Sequence, residues 1–373
     1  MKIKLSGYDD FKCAADKCTM TCCMQWKIAV DKETRKKWKL TVYDGKSLDS
    51  HVTKKDGQDV IKLNKDKFCP FLNSEKLCNL VLNYGDEILS DTCDAFPRQI
   101  HEFDGVIEYS LVSCCPAVVD IFNETDEITF DKENLLTDTN ISIRNILINI
   151  LKDDNISLTT GLLMAFYILL DIYDRYDEDD ICLKEYEDKG ALSELKSMVD
   201  VRTTDVMDTL MEDNEIWLDI AENYRNEKLY TEYIEDISLM AMQLENTSGN
   251  TGKTEALRIS YMEFCEGMRQ YEKLFRNFLV AELFTNLYVP KSDILGMLVK
   301  LQWIAMEFTA IRHGIFLKYL KTGEQAEYET VRDMIVVISR MMGYDEEDIF
   351  EYMENSFESV VWEWGYMAFI LGK

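Results

Sequence analysis

Nine of the eleven cysteines lie within the first 115 residues: Cys13, Cys18, Cys22, Cys23, Cys69, Cys78, Cys93, Cys114 and Cys115. The rest of the chain holds only Cys182 and Cys265. A need for small buried side chains would spread cysteines along the whole sequence. Clustering points instead to a thiolate site built by one module. The spacing runs Cys13-x4-Cys18-x3-Cys22-Cys23, then Cys69-x8-Cys78, Cys93 and the Cys114-Cys115 pair. Zinc and iron–sulfur centres each take about four thiolates, so nine candidates imply either spare thiols or two sites. Successive side chains diverge, and each adjacent pair is therefore expected to give one ligand to a given centre. Spacing alone leaves zinc and iron–sulfur both open.

Compartment and charge narrow the chemistry. The start of the chain, Met1 to Asp10, has no apolar stretch of the kind a secretory signal needs. The apolar run Gly161–Leu170 is too short to span a bilayer. A cytoplasmic protein without a membrane segment is expected, and in a reducing compartment clustered cysteines favour metal over disulfides. The net charge is −28, and it is uneven. Residues 1–125 carry 18 Lys and Arg against 20 Asp and Glu, while residues 126–373 carry 23 against 49. Phosphate would be repelled, so nucleic acid is not an expected partner. Acidic helix faces keep a protein soluble, and they also attract a basic partner or a lysine-bearing substrate.

The elements that would position the thiols differ between the two parts. Three of the four prolines, Pro70, Pro97 and Pro116, fall in the cysteine-rich part, and none interrupts the chain from Ala117 to Val289. In the first part, Gln25–Val30 alternates like a short strand, Asp31 is placed to cap a helix, and Cys78–Leu89 has helical spacing. Asp104-Gly105 followed by Val106–Val112 reads as a hairpin turn and strand. Beyond residue 126, helices are expected over Ile141–Leu151, Leu158–Arg175, Leu183–Val199, Asp205–Asn223, Leu229–Leu244, Lys253–Leu287, Asp293–Leu320, Gly323–Met342 and Glu346–Leu371. Asn246–Gly252 reads as a loop, and the apolar stripe from Tyr261 to Leu283 as core. The expected fold is mainly α: a small irregular α+β cysteine-rich metal module, residues 1–125, packed on a larger multi-helix domain, residues 126–373.

Ordered motifs add a resemblance. Phe11-Lys12-Cys13, Cys18, Cys22-Cys23-Met24-Gln25-Trp26-Lys27-Ile28 and Asp31 form the first. Cys69-Pro70-Phe71-Leu72-Asn73, Leu77-Cys78, Gly85, Leu89-Ser90, Cys93 and Pro97-Arg98 form the second. Asp104-Gly105, Glu108, Ser110-Leu111, Ser113 and Cys115-Pro116 form the third, and Arg276-Asn277-Phe278-Leu279 is a weaker fourth. In these residues the chain resembles the flagellin lysine-N-methylases, and the pattern is shared with a broader group of zinc- or iron-chelating domains. Two departures stand out. Ala117 replaces the family's usual Glu, and Cys114 is additional.

The resemblance implies metal ligation by Cys13, Cys18, Cys22, Cys23, Cys69, Cys78, Cys93 and Cys115. It implies methyl transfer from S-adenosyl-L-methionine to lysine of a protein substrate, with flagellin as the candidate, and a [4Fe–4S] cluster, with zinc as the alternative. It leaves the catalytic base unnamed, and Glu108 and Arg98 are expected to brace the module. His101 lies eight residues beyond Cys93 and is read as a polar neighbour rather than a ligand, while Trp26 is expected to pack over the site. No Gly-x-Gly-x-x-Gly turn is present, which argues against an ordinary Rossmann methyltransferase. Cys18-x3-Cys22 resembles the start of a radical S-adenosylmethionine triad, but the third cysteine is adjacent. The rival reading is a non-enzymatic zinc- or iron-binding interaction protein for a basic partner.

Overall fold

The computed structural model describes residues 1–55, 57–130, 138–175, 182–245, 251–343 and 345–372. From Pro116 onward the described chain is almost wholly helical. Its helices are α4 (Pro116–Glu124), α5 (Thr139–Lys152), α6 (Leu158–Asp174), α7 (Lys189–Asp200), α8 (Val206–Asn226), α9 (Thr231–Glu245), α10 (Thr251–Met268), α11 (Glu272–Glu282), α12 (Ile294–Thr322), α13 (Tyr328–Met342), α14 (Glu346–Ser356) and α15 (Trp364–Ile370). Three short helices precede them: α1 (Lys32–Leu40), α2 (Asn79–Tyr84) and α3 (Asp91–Ala95).

Helix α12 is the axis of this array. It has 29 residues and packs against α6, α8, α9, α13 and α14. By length and composition it is apolar enough to cross a membrane, yet 94% of that window is buried inside the protein. The strongest apolar stretch is thus here and not at Gly161–Leu170, and the other helices cover it. Asp293 starts α12 by accepting from the Gly296 amide at 2.8 Å, and Gly323 ends it in the left-handed region at φ 71°.

The first 115 residues contain the strands: β1 (Lys2–Lys4), β2 (Val42–Tyr43), β3 (Lys46–Ser47), β4 (Val52–Lys55), β5 (Gln58–Ile61), β6 (Arg98–Phe103) and β7 (Val106–Leu111). Strands β6 and β7 form the expected hairpin, with Gly105 at φ 77° in the turn. The β1 strand then pairs parallel to β7, giving the order β1-β7-β6. That pairing joins residues over 100 positions apart and has no local signal.

Two apolar cores result. The large one unites the helices with Ile3, Leu5, Phe11, Met20, Leu111 and Cys115. The small one holds Ile28, Trp38, Leu48, Phe71 and Leu80, with Cys69 buried among them.

Several expected elements are shorter or broken. Gln25–Val30 is not a strand: only Met24 and Ala29 make single bridges, to Phe68 and Val60. Helix α2 stops at Tyr84 because Gly85 takes φ 77°, and a 3-10 turn follows at Asp86–Ile88. Leu183–Val199 is a 3-10 turn and α7, separated by Asp188, which caps α7 through the Ala191 amide. Lys253–Leu287 divides into α10, a 3-10 turn at Arg269–Tyr271, α11 and a π-helical turn at Leu283–Leu287. Glu346–Leu371 divides into α14 and α15. Of the Asn246–Gly252 loop, residues 246–250 lie outside the described residues, and Thr251 already begins α10.

Candidate metal centre

Local chemistry from neighbouring residues holds several of the motif cysteines in place. Asp31 accepts from the Thr34 amide at 2.8 Å, capping α1, and its other oxygen accepts from the Asp91 amide at 3.1 Å. One carboxylate thus joins α1 to α3, the helix that carries Cys93. Ser90 caps α3 by accepting from the Cys93 amide at 3.3 Å. Asn73 shapes the turn before Cys78 by accepting from the Glu75 and Leu77 amides, each at 2.9 Å. The Cys69 amide donates to the Cys23 carbonyl at 2.8 Å, and Leu72 bridges Cys78. Trp26 donates from its indole to the Cys22 carbonyl and packs edge-on against Phe96 at 5.0 Å. Cys115 precedes α4, where Pro116 occupies the first turn without wasting an amide.

These turns bring together residues far apart in sequence. Cys13, Cys18, Cys22, Cys23, Cys69, Cys78, Cys93 and Cys115 all line one cavity of about 520 Å³. Cys114 is buried but does not line it, and neither do His101 and Glu108. Arg98 and Trp26 do line it. All eleven cysteines are free thiols. Among the described residues, no three His, Cys, Asp or Glu side chains are already drawn into a metal-holding group. The donor chemistry nevertheless suits a thiolate-ligated metal: eight soft donors face one enclosure, with aromatic walls from Phe11, Trp26, Trp38 and Phe71.

Burial dominates the electrostatics. It pushes the Cys93 and Cys115 thiols up to about 11 and the Cys114 thiol up to about 12. Cys18 and Cys78 are raised for the same reason. Cys23 moves the other way, because the thiols of Cys22 and Cys69 donate to its sulfur. Cys22 and Cys69 are raised, because each donates its thiol proton to Cys23 and is buried beside it. Full ionisation of the set requires a cation, which a metal supplies.

One cavity residue escaped sequence reasoning. Arg340, on α13, donates to the carbonyls of Cys114 at 2.9 Å, Thr21 at 3.2 Å and Met20 at 2.9 Å. Its positive charge favours the thiolate forms of Cys18, Cys22 and Cys115, against the effect of burial. The available signal was an arginine ending the apolar run Met334–Ser339 on a helix face otherwise bound for the core.

The remaining motif residues build the frame. Glu108 on β7 pairs with Arg144 on α5 at 2.5 and 2.7 Å, with both side chains almost fully buried. Ser113 donates to Glu282, whose other oxygen accepts from Asn286 at 2.6 Å. Arg276 donates to the carbonyls of Leu151, Asp153 and Ile156, closing the end of α5. Asn277 donates to Phe122 and Thr125 and accepts from the Ile128 amide, tying α11 to the end of α4. His101 bonds Gln99 at 3.0 Å, and burial with Arg144 and Lys300 nearby lowers it to about 4.

Residues 144–370 match the model of the FliB lysine N-methylase C-terminal domain, which is more than half of the chain. The chain belongs to the FliB lysine N-methylase family. A lysine-N-methylase of Salmonella typhimurium is 28% identical over 141 residues, which covers 35% of this chain and 34% of that protein. The flagellar biosynthetic protein FliU of Salmonella muenchen is 29% identical over 135 residues, covering 33% of this chain and 78% of that one. The chain thus spans about a third of the length of the lysine-N-methylases it matches. No solved structure matches it. Within the family domain, Arg144, Glu282 and Arg340 reach the cysteine-bearing part, at Glu108, Ser113 and the Cys114 carbonyl.

Proposed function

We propose that the chain is a protein-lysine N-methylase that takes its methyl group from S-adenosyl-L-methionine and holds an iron–sulfur cluster in the cysteine cavity. Membership of the family supports the lysine methylase reading. The observation that carries the metal reading is the convergence of eight motif cysteines on one cavity, from segments up to 102 positions apart (Cys13 to Cys115). A [4Fe–4S] cluster there, ligated from among those eight, supplies an iron site of redox and Lewis-acid character when bound.

The residues themselves have definable tasks. Methyl transfer needs a neutral lysine amine, and free lysine has a pKa near about 10.4. An acidic exterior attracts the lysine-bearing partner, and Asp86 and Asp94 are exposed carboxylates that also line the cavity. A lysine bound against the apolar walls of Phe11, Trp26, Trp38 and Phe71, away from those carboxylates, would have its ammonium form disfavoured. Flagellin is the substrate suggested by the names of the relatives, and the cytoplasm, where thiols stay reduced, is the proposed compartment.

The test is anaerobic purification followed by incubation with labelled S-adenosylmethionine and flagellin. The expected protein is brown from thiolate-to-iron charge transfer and labels flagellin on lysine. A colourless protein with stoichiometric zinc would remove the iron–sulfur part. A protein that fails to bind S-adenosylmethionine would instead support a non-enzymatic metal-stapled interaction domain.

A further inference from the structure

Two of the cavity thiols face each other across a pair of backbone segments. Met24 and Phe68 form an antiparallel bridge with a hydrogen bond on either side of it. The Gln25 amide donates to the Lys67 carbonyl at 2.9 Å, and the Cys69 amide to the Cys23 carbonyl at 2.8 Å. In that register Cys23 stands directly opposite Cys69. Directly opposed residues of a hydrogen-bonded antiparallel pair have Cα atoms about 5.5 Å apart and side chains on one face. A disulfide spans Cα separations of about 4.4–6.8 Å. The side chains follow the backbone: the thiols of Cys23 and Cys69 are in hydrogen-bond contact.

The Cys22 thiol also touches Cys23. Adjacent residues, however, are fixed about 3.8 Å apart, Cα to Cα, which is shorter than a disulfide favours. The opposed residue is therefore the better partner for Cys23. Both thiols line the cavity. Cys23 is half-buried and Cys69 is buried, so Cys23 is the more accessible of the two.

We propose that Cys23 and Cys69 form a reversible disulfide when a peroxide reaches the metal-free cavity. Hydrogen peroxide transfers one oxygen to the Cys23 sulfur, giving a sulfenic acid and one water. The Cys69 sulfur then attacks Cys23 Sγ. The S–S bond forms, the S–O bond breaks, and the hydroxyl leaves with the Cys69 proton as a second water. Two electrons pass from the two sulfurs to the peroxide. The step goes beyond the methylase reading and needs no choice of metal, since it concerns these two thiols when no metal holds them.

The test is mild hydrogen peroxide treatment of the reduced, chelator-treated full chain, followed by digestion without reductant and mass spectrometry. The digest is expected to contain a peptide joining the Cys23 and Cys69 segments, absent after dithiothreitol. Fragmentation of that peptide between Cys22 and Cys23 should place the bond on Cys23, so the wild type alone gives the assignment. Cys22→Ser is expected to keep the cross-link. Cys69→Ala is expected to abolish it and to leave Cys23 as a sulfenic acid that dimedone traps. A cross-link from Cys22 to Cys69, a Cys22–Cys23 bond, a Cys23 bond to any other cysteine, or oxidation of Cys23 with no cross-link would overturn the proposal.

Discussion

Arg340 and Cys114 are 226 positions apart, and the Arg340 Nε donates to the Cys114 carbonyl at 2.9 Å in a buried setting. The same guanidinium reaches Thr21 and Met20. One side chain of the family domain therefore holds the backbone on both sides of the cysteine cavity. Arg340→Met leaves three carbonyls without their donor and is expected to cost about 2–4 kcal/mol. Arg340→Lys should recover less than half, since an ammonium lacks the planar fork. Urea denaturation of the metal-free chain measures both, and a loss below about 0.5 kcal/mol for the Met variant would contradict this role.

The Glu108–Arg144 pair joins β7 to α5 with both charges out of water. Glu108→Ala strands a buried guanidinium and is expected to cost about 3–5 kcal/mol. Replacing both residues, as Glu108→Leu with Arg144→Met, should cost less than the sum of the two single changes. A double-mutant cycle reads this directly, and simple additivity would show that the pair is not coupled.

His101 is buried and its folded value is lowered to about 4, from an ordinary value of 6.5. Between those two values the unfolded chain binds the proton more readily than the folded one. Its contribution to stability is therefore fully present above about pH 6.5 and is lost as pH falls toward 4. The loss is bounded at about 3 kcal/mol by the size of the shift. His101→Gln is expected to flatten the stability profile in this window, measured by denaturation at pH 7, 6, 5 and 4. An unchanged slope would exclude His101 as its source.

Asp31 serves two helices with one carboxylate. Asp31→Ala removes a cap and the tie to α3, with an expected cost of about 1–2 kcal/mol. Hydrogen exchange should quicken at the Thr34, Asp91 and Cys93 amides. Acceleration confined to Thr34 would show that Cys93 is held by Ser90 alone.

The cysteine cavity was legible because metal ligands must be particular atoms, and residues such as Asp31, Asn73 and Ser90 betray their turns by local chemistry. Helices α5, α6, α8 and α12 were legible from apolar periodicity, with ends within about three residues of expectation. Breaks inside longer apolar patterns were not. The π-helical turn after α11 and the division of α14 from α15 interrupt runs whose apolar pattern continues through the break. Strand Gln25–Val30 failed because alternation needs a partner strand, and only single bridges are available.

By itself the sequence determined that thiols are concentrated in one part, that the other part is acidic and helical, and which motif positions the chain shares with lysine methylases. Both charge and periodicity are properties of the chain read in order. Tertiary structure alone decided that eight of the nine clustered thiols face one cavity and that Cys114 turns away. It also decided that Cys23 and Cys115 lie with different cores and that Arg340 closes the site from the far end of the chain. Those outcomes depend on directions of side chains across long sequence separations, which packing sets and spacing does not.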